Sequence, residues 1–418
     1  MAFISNLQQS GTANASLEFK ISAEASAISN ELSERIKTRI KNNGQPIDFQ
    51  TFMQMALYEP QLGYYQNNLH KFGEKGDFIT APELSSLFAD CIAESMSDTL
   101  NKNGVSSILE VGAGSGRLAV DLIKALSSQK NEPSQYYILE TSASLQAQQK
   151  QLVEKECPDY LSKVIWLSEL PKDFAGIIIA NEVIDAIPCQ IIEKTEQGWF
   201  YRDVDCENDL LRECLGKAVN SDELPCFLKQ QDAEEQYLTG YKTEIRKQAS
   251  GWLSALSNSL SSGHILLIDY GYPSSEFYHP QRTQGSLTCF INHHSHADYL
   301  QAIGLQDITA HVDFTDIATV SDKLGLQVGG FTTQAGFLLE NGILEKSEAW
   351  LMSNENAAND IDRYKISLQL QKLMMPGQMG EVLKVMCLSK LQNKNDVVGK
   401  NAEISLKGFS MQDQLRRL

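Results

Sequence analysis

The sequence predicts an α/β fold, a doubly wound, mostly parallel sheet with an N-terminal helical segment and an inserted cap. Three observations predict it. Between residues 107 and 180, short continuous apolar runs alternate with amphipathic segments, the pattern of strands buried on both faces and separated by helices. A glycine-rich turn, Gly112-Ala-Gly-Ser-Gly116, joins the first of these runs to the segment after it. The alternation stops after Pro188 and resumes near residue 244, as an insertion would make it do. Right-handed crossovers between successive parallel strands then give an open, doubly wound sheet.

Each element follows from local pattern. Ile28, Leu32, Ile36 and Ile40 recur every fourth position, which predicts a helix over 27–41, ended before Pro46. A second helix over 48–57 starts at Asp48 as its cap. Residues 59–82 read as an aromatic, glycine-containing loop, which suits function better than spacing. Residues 83–103 read as helix. Strands are predicted over 107–111, 136–139, 164–167 and 176–180, with helices over 117–126 and 144–153. Residues 190–193 and 199–204 form a hairpin about Glu196-Gln197-Gly198, while 205–240 read as acidic and irregular. A helix over 244–260, a strand over 264–270, a long loop over 271–311, a helix over 313–324, a strand over 326–331 and a helix into Gly342 follow. The polar stretch 353–360 reads as mobile, and 380–388 as a last strand. The implied organisation is a helical and loop segment covering the site (1–104), the first part of the sheet domain (105–189), a cap (190–245), the rest of the sheet domain (246–390) and a tail (391–418).

Composition excludes several classes. Of 418 residues, 42% are hydrophobic and 21% charged, as in a folded domain and unlike a disordered chain. Asp and Glu outnumber Lys and Arg by 53 to 36, a net charge of -17, which argues against nucleic acid or an anionic membrane as partner and leaves a basic protein open. No apolar run approaches the roughly 20 residues of a membrane span. The first 22 residues hold one Lys and no Arg, unlike a secretory or mitochondrial leader. Eight scattered cysteines without a C-x-x-C pair read as reduced thiols in a cytoplasm.

The glycine turn carries the first chemical signal. Gly112, Gly114 and Gly116 allow a sharp turn and bring a ligand onto main-chain N–H groups at a helix start. Glu140 ends the next strand, 24 residues after Gly116, where a carboxylate can accept both hydroxyls of an adenosine ribose. The spacing G-x-G-x-G with that acid is the S-adenosylmethionine arrangement. NAD shares the acid but goes with a wider glycine spacing, so an NAD-dependent oxidoreductase is disfavoured. The fourth strand runs into Asn181-Glu-Val-Ile-Asp-Ala-Ile-Pro188, across the crevice from the glycine turn. Glu182 and Asp185 are therefore candidates to hold a guanidinium by bidentate hydrogen bonds and aim one nitrogen at a methyl group. Asp185 has a second reading, as a helix cap.

Six segments in order carry a family resemblance: Leu62-Gly-Tyr-Tyr65, Gly76-Asp-Phe-Ile-Thr-Ala-Pro-Glu83, Glu110-Val-Gly-Ala-Gly-Ser-Gly116, Ala180-Asn-Glu-Val-Ile-Asp-Ala-Ile-Pro188, Ile268-Asp-Tyr-Gly271 and Asp307-Ile-Thr-Ala-His-Val-Asp-Phe314. Together they resemble the MidA family of S-adenosylmethionine-dependent methyltransferases over about residues 45–388. The resemblance implies a class I methyltransferase (Rossmann-like) fold, S-adenosylmethionine as methyl donor and, from the family's mitochondrial member, symmetric dimethylation of a protein arginine. It implies Gly112, Gly114, Gly116, Glu140 and Asn181 as cofactor contacts and Glu182 and Asp185 as acids holding the substrate. It implies Gly76, Asp77, Phe78, Thr80, Pro82 and Glu83 as a segment closing over cofactor or substrate; His311 and Asp313, read separately, are placed to hydrogen-bond near the acids. This chain has Gly112-Ala-Gly-Ser-Gly116 where many members read G-P-G-R-G, so the known protein substrate does not transfer with the resemblance.

Other candidates are weaker. His293, His294 and His296 lack the companion acids or cysteines of a metal site, so no metal is expected. Asp313 reads equally as a helix cap. The alternatives to arginine methylation are a methyltransferase for another acceptor and an S-adenosylmethionine-binding assembly factor without essential catalysis. A protein substrate is the expected partner, and a homodimer is compatible with the chain.

Overall fold

The computed structural model describes residues 21–69, 80–100, 106–353, 360–390 and 405–418. Its strands in chain order are β1 (Ile47–Asp48), β2 (Ser107–Val111), β3 (Gln135–Leu139), β4 (Val164–Leu167), β5 (Phe174–Asn181), β6 (Gln190–Thr195), β7 (Gly198–Glu207), β8 (Leu210–Ala218), β9 (Lys242–Ile245), β10 (Leu260–Tyr272), β11 (Thr288–Ile291), β12 (His294–His296), β13 (Asp307–Thr309), β14 (Val312–Asp313), β15 (Gln327–Thr333) and β16 (Leu383–Lys390). The main sheet has the order β15-β16-β10-β5-β2-β3-β4, with β14 on the end of β10. The contacts from β10 through β5, β2 and β3 to β4 are all parallel. β16 is antiparallel to both neighbours, so the expected doubly wound, mostly parallel sheet is present with one reversed strand. Ile108, Ile177 to Ile179 and Ile265 to Ile268 are fully buried, because helices cover both faces.

The strands of the 107–180 region and the helices Arg117–Ser128 and Ala143–Glu156 agree with the periodicity to within a few residues. The N-terminal helix, Ala23–Asn43, buries Leu32, Ile36 and Ile40; Ser22 caps its start and Gly44, at φ 64, ends it. Asp48 caps the helix Phe49–Tyr58, accepting the Thr51 N–H at 2.7 Å. That helix carries Tyr58 to the site described below. Asp48→Ala should lower stability by about 1 kcal/mol, read as a reduced thermal midpoint.

Four expectations are corrected. Residues 83–103 are not one helix: Ser85, extended at φ -163, separates Ala81–Leu84 from Ser86–Met96 and starts the second by accepting the Leu87 N–H. Residues 205–240 are not irregular; they include β8 and the helix Cys226–Ala233. β8 joins β7 and the sheet β1-β7-β6-β9, and its charges pair across the strands, as Arg202 with Glu213 at 2.7 Å, which hides the apolar alternation. Residues 244–260 are β9 followed by the helix Lys247–Ser259, not one helix. Glu244 belongs to the strand, paired with Ile191 of β6, and its carboxylate accepts the Ser286 and Leu287 N–H groups. The long loop over 271–311 contains the short helix Ser274–Phe277 and the three-stranded sheet β12-β11-β13. The last residues also pack back: Leu406 and Phe409 are buried, Phe409 lies 5.6 Å from the Phe337 ring, and the Gln414 N–H donates to the Phe331 carbonyl. Residues 354–359, most of the stretch read as mobile, lie outside the described residues.

Candidate functional site

The C-terminal ends of β2, β3 and β5 meet at one edge of the sheet, the usual crevice of an open α/β fold. Gly112, Gly114 and Gly116 all have positive φ (70°, 52° and 85°). A Cβ on Gly112 would meet Val183 at 3.2 Å, and one on Gly116 would meet Gln149 at 3.1 Å, so the turn closes against the loop after β5 and the helix after β3. Gln149, fully buried, ties these parts together. Its amide donates to the Gly114 carbonyl at 2.9 Å and to the Glu140 carboxylate at 3.2 Å, while Trp166 donates to its oxygen. The other Glu140 oxygen accepts the Ser142 N–H at 2.8 Å. Burial raises the Glu140 pKa.

These residues fit S-adenosylmethionine. The Glu140 carboxylate accepts from Ser142, Thr141 and Gln149 and, with two lone pairs on each oxygen, retains acceptor capacity for a ribose hydroxyl. At the end of β5, the buried Asn181 Oδ1 has no hydrogen-bond partner among the described residues, an acceptor awaiting a donor.

The acids stand where β5 ends. Asn181 is the last residue of β5 and donates to Glu182 at 3.3 Å. Glu182 has φ 52, and its N–H donates to the Ile268 carbonyl. Its side chain keeps partial exposure while lying deep among protein atoms. Burial first, and then the Asp185 charge, pushes its pKa up to about 8, with Asp307 adding to the rise. Asp185, 6% exposed, is also raised by burial, with Arg246 opposing. No helix follows Asp185, which lies in a turn, so the capping alternative falls away. Asp269, 1% exposed, holds the loop from below: one carboxylate oxygen accepts the N–H groups of Val183, Ile184 and Asp185. Burial and the neighbouring acids raise it as well.

Four side chains complete the wall. Tyr58 donates to the Ala186 carbonyl at 3.0 Å and stacks on Tyr65, whose hydroxyl donates to Asp307 at 2.8 Å. Tyr270 stacks on His311 at 6.4 Å. Arg246 lies beneath. Its guanidinium donates to the carbonyls of Asp185, Ile187, Ala310 and His311, stapling the acid loop to the segment before β14.

Of the expected residues, the structure brings Gly112, Gly114, Gly116, Glu140, Asn181, Glu182 and Asp185 to one crevice. Thr80, Pro82 and Glu83 lie at its rim: Glu83 accepts the Ser115 hydroxyl of the glycine turn, and the Ala81 N–H bonds to Glu182. Gly76, Asp77 and Phe78 lie outside the described residues. His311 sits between Tyr270 and Tyr272, and burial lowers its pKa to about 3, so it is neutral and supplies no charge to the acids. Asp313 caps the helix Phe314–Lys323 and accepts the Ser274 hydroxyl. His294 and His296 lie on β12, with His293 in its turn. Sequence reasoning missed Gln149, Arg246, Tyr58, Tyr65, Tyr270, Asp269 and Asp307 as site residues. The motifs at 62–65, 268–271 and 307–314 contain four of them; Arg246 and Gln149 have no local signal.

Comparison with known proteins gives the following. The Methyltransf_28 family model, of S-adenosyl-L-methionine-dependent methyltransferases, matches residues 88–332. The protein arginine methyltransferase NDUFAF7, mitochondrial, of Danio rerio is 27% identical over 394 residues, 87% of each chain. Its Homo sapiens counterpart is 28% identical over 377 residues, 82% of this chain and 80% of its own. A COG1565 superfamily protein from Burkholderia thailandensis, crystallised with S-adenosyl-homocysteine, superposes with a TM-score of 0.86 at 32% identity, covering 95% of this chain and 99% of that one. The cytoplasmic placement expected from the cysteines is corrected by these relatives, which are named as mitochondrial proteins; free thiols do not separate two reducing compartments. No helix among the described residues is long and apolar enough to cross a membrane.

Proposed function

We propose that this chain, which belongs to the Methyltransf_28 family of S-adenosyl-L-methionine-dependent methyltransferases, transfers methyl groups to the guanidinium of a protein arginine. One observation carries the proposal: among the described residues, the crevice gathers three carboxyls deep in the protein, Glu182, Asp185 and Asp269, with Arg246 opposing the shifts of the last two. Glu182, Asp185 and Asp269 are all raised, and Asp307 adds to the strain on Glu182. The cation beside them, Arg246, directs its N–H groups at four carbonyls. A guanidinium from outside would bring a positive charge and a fork of donors matched to carboxylates. The named relatives are protein arginine methyltransferases, which supports the same acceptor.

In this reading Gly112, Gly114, Gly116, Glu140 and Asn181 hold the cofactor, which supplies an electrophilic methyl group on sulfur. Glu182 and Asp185 accept the guanidinium N–H groups and fix one nitrogen in line for attack. Glu182, with its raised proton affinity, accepts the proton that the methylated nitrogen gives up. Tyr58 and Tyr65 wall the crevice and exclude water from the acids. The protein partner is basic, drawn by the net charge of -17.

The test is transfer of labelled methyl into a cell-extract protein fraction, then hydrolysis and amino-acid analysis. Label in methylated arginine is the expected outcome, and label only in another amino acid or a small molecule would discard the acceptor. Glu140→Ala should weaken cofactor binding roughly ten- to a hundredfold, by loss of two charge-assisted hydrogen bonds. Calorimetric titration with S-adenosyl-homocysteine reads it.

A further inference from the structure

We propose that the helix Asp360–Met374 is the seam of a homodimer, in which two copies pack it antiparallel about a two-fold axis at Leu368. This helix is apolar on two opposite faces. One face, with Ile366 and Leu373 buried and Leu370 beside them, packs into the core under the main sheet. The other carries Ile361 (63% exposed), Tyr364 (65%) and Leu368 (38%), continued by Met375 (50%) just past the last turn. Positions 361, 364, 368 and 375 follow helical spacing and form one stripe about 21 Å long. A surface helix that serves only its own chain needs one apolar face. Leu344 and Met352 on the preceding helix, Ile343–Ser353, are exposed too (49% and 80%).

The spacing and charge select a second copy as the occupant. Read antiparallel about Leu368, the stripe is its own complement. Leu368 meets Leu368, Ile361 lies level with Met375, and Tyr364 lies level with Lys372, a cation for an aromatic face. Lys365 lies level with Gln371, and no acid faces an acid across the seam. Charge over the helix agrees. Residues 360–374 hold two acids and three bases in a chain of net charge -17, so two copies approach here without the acid–acid repulsion expected over most of the surface. An isologous contact requires this kind of self-complementarity.

The test uses the full chain at tens of micromolar in sedimentation equilibrium. Wild type should have twice the monomer mass. Leu368→Glu and Leu368→Lys should each halve it, because each sets like charges face to face at the axis. Mixing the two variants should restore the dimer mass, because Glu then faces Lys. Unchanged circular dichroism of each variant alone shows that the fold is kept, as the partial exposure of Leu368 leads one to expect. If one variant fails to fold, the mass of the other decides. A monomeric wild type, a Leu368→Glu dimer, or a mixture of folded variants that stays monomeric would each overturn the proposal.

Discussion

Glu182→Gln is expected to lower kcat/KM for methyl transfer by roughly two to three orders of magnitude while cofactor affinity stays near that of the wild type. The size follows from removing a charge that the reacting group meets in a desolvated site, worth about 3–4 kcal/mol. Glutamine keeps the shape and one acceptor, so the loss reports charge and proton affinity. Near-normal transfer would remove Glu182 from its role. The pH dependence gives a second reading. Burial and Asp185 push the Glu182 pKa up to about 8 in the free protein, and a protonated carboxyl does not pair with a cation. The wild-type kcat/KM should therefore rise with pH and level off above about 8. Glutamine removes that limb of the profile.

The same shift makes a statement about stability. Glu182 releases its proton near 4.5 when unfolded and near 8 when folded. Across that window the unfolded chain has lost a proton that the folded chain keeps, so stability falls as pH rises. Glu182→Gln should raise the thermal midpoint of the substrate-free protein near pH 8 and change it little at pH 4. A site built to be completed by a cation carries that cost while it is empty.

Arg246→Ala should lower stability by about 2–4 kcal/mol and reduce transfer as well. Four carbonyls lose their donor at once, and the side chain that opposes the rise in Asp185 is gone. Denaturant unfolding reads the first effect and transfer kinetics the second. Arg246→Lys should recover the part due to charge and little of the part due to geometry, since an ammonium cannot reach four carbonyls in a planar fork. Full recovery by lysine would mean that charge alone sets the loop.

Legibility in the sequence follows the range of the forces. The strands and helices between 107 and 180 are legible because each buried run is continuous and each helix has one apolar stripe. β8 is not, since its solvated face carries Arg212 and four of its seven partners on β7, Arg202, Asp203, Asp205 and Glu207, are charged. The reversed β16 reads as a strand, but its place between β10 and β15 depends on pairing over more than a hundred residues. At the site, Glu182 and Asp185 are legible because a buried strand delivers them to the crevice. Arg246 is not, because it acts through main-chain carbonyls that any sequence would offer.

The position of β16 has a consequence for biosynthesis. A chain made from its N-terminus forms β2 to β5 and β10 early, but the strand that covers the other edge of β10 emerges more than a hundred residues later. Until Leu383 to Lys390 leave the ribosome, eight residues of β10, Gly263 to Tyr270, lack their partners, and an open apolar edge of that length invites pairing with other chains. The nascent protein thus passes through a stage in which this edge is open to other chains, and a premature stop upstream of β16 leaves the middle of the sheet unsealed.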